Sequence, residues 1–316
     1  MFFNSDIEYN GKLPFKPFPF LKNPHVQTAL SSLSYSGTPP PSVPLQIALA
    51  DGDILSCEVS TPLLWGPADK TVFLIHGLGG SHKSNYMIRM ARKIYKAKHR
   101  VVRINLRGCG SGAGLSKKPF HSGKSDDILH IIQSFKNQTP NSPFVLIGFS
   151  VGGNIALKLA GELKKLAHDL LIKTIAICPP IDLAQSAHLL SLPNLSLYNN
   201  SYVKCLKKYG AVWVQDKAIS SISDFDNQIT APLWGFQNAA DFYKQCSSCF
   251  FLSHIDHPCH IVFAADDPIV NYQAATSQNV PACVKIWISS QGGHMGFLGK
   301  GYRNFFWLDS LLLSWI

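Results

Sequence analysis

The sequence predicts an α/β protein whose mostly parallel, eight-stranded sheet carries helices on both faces. Three observations lead there. Short apolar, β-branched segments alternate with helix-period segments through most of the chain, the pattern of strands joined by crossover helices. Near the start, two such segments meet at Asp51-Gly52-Asp53, a tight turn that makes the first pair an antiparallel hairpin at one edge. Finally, 316 residues that are 46% hydrophobic and 15% charged can bury a large core in one α/β domain spanning residues 1–316.

The strand candidates, in order, are Leu45–Ala50, Ile54–Ser60, Thr71–His76, Arg100–Asn105, Phe144–Gly148, Ile172–Cys178, His260–Ala265 and Val284–Ser289. A helix follows Ser84, a residue suited to an N-cap, with Met87, Ala91 and Ile94 on one face. A second covers roughly Asp126–Lys136. A third runs from Val151 with Ile155, Leu159, Leu163 and Leu166 at helical spacing. From about residue 180 to 250 the periodicity breaks down around SLPNLSLYNNS and the aromatics Trp213, Trp234, Phe236 and Tyr243. This segment reads as an inserted helical lid over the carboxyl edge of the sheet. The lipophilic end, FFWLDSLLLSWI, contains Asp309 and is too short to span a bilayer, so it reads as the last amphipathic core helix.

The formal charge of +10 comes from scattered lysines and arginines, with small clusters at Arg89-Met90-Ala91-Arg92-Lys93 and Lys164-Lys165. No basic arm, helix-turn-helix or RNA-binding aromatic motif accompanies them, which argues against a nucleic-acid partner. Peripheral contact with an anionic membrane stays open. The start, MFFNSDIEYN, lacks a basic stretch followed by an apolar one, so a secretory signal is not expected. The eight cysteines are then read as reduced thiols in the cytoplasm. Cys246-x-x-Cys249 with His254, His257, Cys259 and His260 loosely resembles a zinc site. However, Cys259 and His260 open a strand, where consecutive side chains face opposite ways, so no metal is expected. Nothing in the pattern specifies an oligomeric state.

The chemistry begins at Gly148-Phe149-Ser150-Val151-Gly152, a G-x-S-x-G run. Chance alone would place this pattern in about one chain in ten of this length. Its position is what matters: an apolar strand ends at Gly148 and a helix begins at Val151, the strand-to-helix turn on which a nucleophilic serine sits. Such a serine needs a base, and the base needs an acid to orient it. Asp266 and Asp267 end the strand IVFAA, and His294 lies in the glycine-rich loop after the strand VKIWISS. The order serine, acid, histidine follows. Of the two aspartates, Asp267 is favoured as the partner of His294, with Asp266 facing away to brace a loop. The oxyanion hole is assigned to the N–H of Val151 and that of Leu78, which lies in the loop His76-Gly77-Leu78-Gly79-Gly80. His76 is read as a brace for that loop. Neither G-x-G-x-x-G nor a G-K-[ST] ending is present, which disfavours a nucleotide site, and no cofactor is needed.

With these residues goes a set of longer motifs: Asn23-Pro24-His25-Val26-Gln27-Thr28, Asn105-Leu106-Arg107-Gly108-Cys109-Gly110, Phe120-His121-Ser122-Gly123 and Thr230-Ala231-Pro232-Leu233-Trp234-Gly235-Phe236. On them the chain resembles the YheT-like α/β-hydrolases over nearly its whole length. The resemblance implies an α/β-hydrolase fold, Ser150, His294 and Asp267 as nucleophile, base and acid, and esters of short- to medium-chain acyl groups, glycerolipids among them, as substrates. Some relatives transfer acyl groups to alcohols. Gly110 before Ser111 and Phe120 before His121 depart from the family pattern in loops beside the site, where they bear on substrate preference. Arg107, Cys109 and His121 are read as structural. The expected protein is therefore a serine hydrolase of carboxylic esters. Its rivals are an acyltransferase using the same residues and a non-catalytic lipid-binding protein on the same fold.

Overall fold

The computed structural model describes residues 13–33, 37–215, 217–301 and 304–316, so the stretch read for a secretory signal lies outside the described residues. Eight strands form one sheet: β1 (Val43–Ala48), β2 (Ile54–Ser60), β3 (Thr71–Ile75), β4 (Arg100–Asn105), β5 (Phe144–Phe149), β6 (Lys173–Ile177), β7 (Cys259–Ala264) and β8 (Val284–Ser289). Their order is β1-β2-β4-β3-β5-β6-β7-β8. The β1–β2 and β2–β4 pairs are antiparallel, and every later pair is parallel. The hairpin expected at Asp51–Asp53 is the β1–β2 turn, with Gly52 at φ 84°.

Alternation along the strands sorts side chains onto two faces. In β3, Phe73 and Ile75 face helices α3 (Ser125–Gln138) and α4 (Val151–Leu163), whose Ile128, Ile131, Ile155 and Leu159 complete that core. Val72 and Leu74 face the other side, against Met87, Met90 and Ile94 of α2 (Asn85–Lys96). The C-terminal helix Trp307–Trp315 joins this second core through Leu308, Leu311 and Leu312. Its one carboxylate, Asp309, accepts from Arg89 Nε at 2.7 Å and Lys93 Nζ at 2.8 Å, which ties the helix to α2.

Two local expectations are corrected. Ser84 precedes α2 but makes no side-chain cap; its Oγ accepts from the Ser81 N–H at 3.0 Å, closing the preceding turn. Leu166 does not continue the buried face of α4: the chain leaves the helix at Lys164, which has φ 50°, and Leu166 is exposed.

Between β6 and β7 stand helices Leu183–Ser191, Ser196–Tyr209 and Ala239–Cys246 with several shorter turns. They bury Val203, Leu206, Val214, Phe225 and Ile229 among themselves and pack part of that cluster on Leu78. Among the described residues, no helix is long and apolar enough to cross a membrane.

Candidate active site

Ser150, Asp267 and His294 follow β5, β7 and β8 at the carboxyl edge of the parallel strands, where crossover connections leave room for a site. Ser150 adopts φ 51° and ψ −121°, a conformation rare for a residue with a side chain. The glycines on either side explain how it is held. A Cβ on Gly148 would lie 2.2 Å from the Gly152 carbonyl oxygen, and one on Gly152 would lie 2.5 Å from the Ile75 oxygen. Both are backbone contacts that cannot yield, so the turn closes only with glycine at each position. The turn lifts Ser150 Oγ out of the sheet edge into the space above it.

His294 Nε2 lies 2.9 Å from Ser150 Oγ, and its Nδ1 lies 2.8 Å from Asp267 Oδ2. The other carboxylate oxygen of Asp267 accepts the N–H groups of Ile269 at 2.8 Å and Val270 at 3.0 Å. Asp267 is thus aimed by the backbone, with its side chain fully shielded from solvent. This arrangement places the Nδ1 proton against the carboxylate and leaves the Nε2 lone pair for the serine hydroxyl. Asp266 points elsewhere: its Oδ1 accepts the Gly293 N–H at 2.9 Å and braces the loop carrying His294.

The N–H groups of Leu78 and Val151 have no protein acceptor among the described residues. Gly77 brings the Leu78 loop against the elbow, since a Cβ there would lie 3.0 Å from Ser150 Cβ. His76 holds this loop from beneath. Its Nδ1 donates to the Gly77 carbonyl at 2.8 Å and its Nε2 accepts the Leu106 N–H at 3.1 Å. Burial lowers its pKa to about 4, so it stays neutral. Arg107 donates to Asp51, Asp53 and Asp127, joining the β1–β2 turn to α3 behind the site. Cys109 is buried in the core on the α3 side of the sheet. His121 is packed edge-on against Trp234, Phe236 and Phe242.

Sequence reasoning missed three contributors. Thr28 Oγ1 accepts the His294 N–H at 2.9 Å, and buried Gln27 bonds Leu298 through both ends of its amide, so the helix Pro24–Leu33 fixes the histidine loop. The Asn23–Thr28 motif flagged this helix without showing what it does. Cys178, at φ 45° after β6, places its sulfur with the donor atoms of Asp267 and His294 within 4.8 Å of one another. Burial drives its thiol pKa well upward, and the Asp267 and His294 atoms already bond each other. Of the cysteine-histidine cluster, Cys246 sits 3.9 Å from His121 and His257 bonds Thr174 at 2.8 Å, in separate places.

A narrow cavity opens at Ser150, walled by Leu78, Val151, Leu183, Leu190, Leu206 and Val270, with His121, Asp226, Thr230 and Tyr243 also in its lining. A second cavity meets Ser150 and His294 from the other side, where Thr28, Ser32, Tyr198 and Ser201 are set among Ala29, Leu33, Leu78 and Met295.

The sheet order, with a sharp serine turn after β5, defines the α/β-hydrolase fold. Comparison with known proteins agrees: the family described as alpha/beta hydrolase fold matches residues 70–194. The chain is 26% identical to YheT of Escherichia coli over 98% of its own length and 94% of that protein. It is 25% identical to the monoacylglycerol lipase of Saccharomyces cerevisiae, over 73% of this chain and 55% of the yeast protein, so it spans about half the length of that relative. With phospholipase ABHD3 of Homo sapiens it shares 25% identity over 80% of this chain and 66% of the human one. In fold it is similar to the Pyrococcus furiosus esterase Pf2001 (TM-score 0.55, 17% identity, 83% of this chain and 91% of that one). It is likewise similar to Est1E of Butyrivibrio proteoclasticus (TM-score 0.56, 16% identity, 85% and 96%). The chain thus has the α/β-hydrolase fold and is similar in sequence to proteins named as esterases and lipases.

Proposed function

We propose that the protein is a serine hydrolase that cleaves carboxylic esters of short- to medium-chain acyl groups through an acyl-enzyme. The observation carrying this reading is the continuous hydrogen-bonded line from Ser150 Oγ through His294 to Asp267, at 2.9 and 2.8 Å. His294 Nε2 takes the hydroxyl proton as Ser150 Oγ bonds to the ester carbonyl carbon. Asp267 steadies the imidazolium, and the N–H groups of Leu78 and Val151 meet the developing oxyanion. The imidazolium then protonates the departing alkoxide oxygen as the C–O bond breaks. Water, deprotonated by the same nitrogen, attacks the acyl carbon and frees the acid and Ser150.

The apolar wall of the cavity at Ser150 supports an acyl chain as its occupant. The helices between β6 and β7 form much of that wall and act as the lid of a single domain. Reduced cysteines and a basic surface support a cytoplasmic enzyme meeting a small ester or a lipid at an anionic membrane. The hydroxyls of Thr28, Ser32, Tyr198 and Ser201 in the second cavity favour one alternative, in which an alcohol seated there replaces water and the acyl group is transferred. Hydrolysis of p-nitrophenyl butyrate and decanoate, with and without added glycerol, tests both. Acid release that disappears in Ser150→Ala supports the proposal, and glyceryl ester formation supports transfer. Turnover that survives in Ser150→Ala refutes both.

A further inference from the structure

Two of the longer motifs, Phe120–Gly123 and Thr230–Phe236, take no part in the proposed chemistry, yet Phe120, His121 and Ser122 of the first and Thr230 of the second stand in the wall of the cavity at Ser150. Asp226, four residues before Thr230, lies in that wall too and is about nine-tenths buried. Its Oδ1 accepts the Thr230 hydroxyl at 2.7 Å and its Oδ2 accepts the Tyr243 hydroxyl at 2.8 Å. A carboxylate offers about four acceptor sites, so these two donors leave it half-filled. Among the described residues no lysine or arginine pairs with it. Burial without a cation raises its pKa to about 6. In the same wall, His121 accepts the Gly123 N–H at Nδ1, which puts its proton on Nε2. That Nε2–H meets no acceptor among the described residues, although the ring is buried among aromatic side chains.

A wall made mostly of aliphatic and aromatic side chains, with Ser122, Ser186 and Tyr202 adding hydroxyls elsewhere in it, thus holds a half-filled carboxylate and an unused N–H donor. An all-alkyl chain would strip water from both and offer nothing in return, which is the costly way to bury polar groups. An ammonium satisfies the acceptor but not the donor and costs far more to dehydrate. A carbonyl satisfies only the donor. A hydroxyl can do either.

We infer that Asp226, set by Thr230 and Tyr243 and joined by His121, forms a subsite for hydroxyl groups on the part of the ester that fills this cavity. The inference rests on the esterase reading for its substrate class: hydroxylated acyl esters, or esters whose polyol portion lies on this side of Ser150.

The test is binding, so it stands apart from turnover. Isothermal titration of Ser150→Ala compares methyl decanoate with methyl 3-, 6- and 10-hydroxydecanoate and with 1-monodecanoylglycerol. At least one hydroxylated ligand is expected to bind about tenfold tighter than methyl decanoate. A preference for a hydroxydecanoate places the recognised group on the acyl chain, and one for the monoacylglycerol places it on the alcohol. Adding Asp226→Asn, or His121→Phe, which keeps the ring packing, is expected to reduce that advantage below threefold. Equal binding of all five ligands overturns the inference without any further variant. So does an advantage that survives both substitutions, as it would if Asp226 only braced the wall. Hydrolysis of methyl decanoate by the unsubstituted protein separates the two claims: its absence, with the binding preference intact, sinks the esterase reading and leaves the subsite standing.

Discussion

Asp267→Asn probes the site at the point where its geometry is most constrained. In the wild type one carboxylate oxygen faces His294 Nδ1 at 2.8 Å, while the other accepts two backbone N–H groups, from Ile269 and Val270. An asparagine can enter in two ways. With its oxygen toward His294, its NH₂ would point at two N–H donors, leaving both unsatisfied at about 1–3 kcal/mol each. With its oxygen toward Ile269 and Val270, both bonds survive and the NH₂ faces Nδ1. The second orientation wins by several kcal/mol. It forces Nδ1 to accept and moves the ring proton to Nε2, where it points at Ser150 and can no longer receive the hydroxyl proton. The substitution should therefore lower kcat by about 10⁴-fold, near 5.4 kcal/mol of barrier, with folding stability changed by only about 1 kcal/mol. Steady-state hydrolysis of p-nitrophenyl butyrate and urea unfolding read the two quantities. In Asp266→Asn the amide oxygen still accepts the Gly293 N–H, so kcat should stay within about tenfold. If Asp267→Asn kept more than about a hundredth of kcat, or if Asp266→Asn were the more damaged, the tautomer argument would be wrong.

Other consequences are open to direct measurement. Arg107→Ala strands Asp53 and Asp127, whose side chains are almost wholly buried, and should cost about 3–5 kcal/mol in urea unfolding. Gly152→Ala drives a Cβ to 2.5 Å from the Ile75 oxygen and 2.6 Å from the His76 oxygen; a loss of about 1–3 kcal/mol together with impaired turnover is expected. His257 is buried and neutral, its pKa lowered from 6.5 to about 4 chiefly by desolvation. Between those values the unfolded chain binds the proton and the folded one does not, so this histidine's contribution to stability falls as pH drops from 6.5 to 4. The stability deficit of His257→Gln relative to wild type should accordingly narrow between pH 7 and 4.5. Parallel curves would contradict the burial argument.

Much of this architecture is legible in the sequence because its signals are local. The inner strands were readable from runs such as TVFLIH and FVLIGF, since a strand buried on both faces needs a continuous apolar run. Ser150, Asp267 and His294 could be named because each follows such a run at a turn of distinctive composition. The errors fall where local signals compete. Ser84 looks like a helix cap but satisfies its own preceding turn, and Leu166 keeps the helical spacing after the backbone has already left the helix at Lys164. What lies beyond the sequence is convergence. Gln27 reaching Leu298 spans 271 positions, and Asp226, Tyr243 and His121 share a wall only because the inserted helices fold back over the sheet. No periodicity encodes such meetings; they are set by how helices of given length and bulk pack.

Labelling with a fluorophosphonate probe, followed by mass mapping of the modified peptide, tests the central claim most directly, since only an activated serine attacks phosphorus readily. A single adduct on Ser150, absent from Ser150→Ala, is the predicted result. No adduct, or an adduct of equal yield in the substituted protein, would contradict the assignment of Ser150 as the nucleophile.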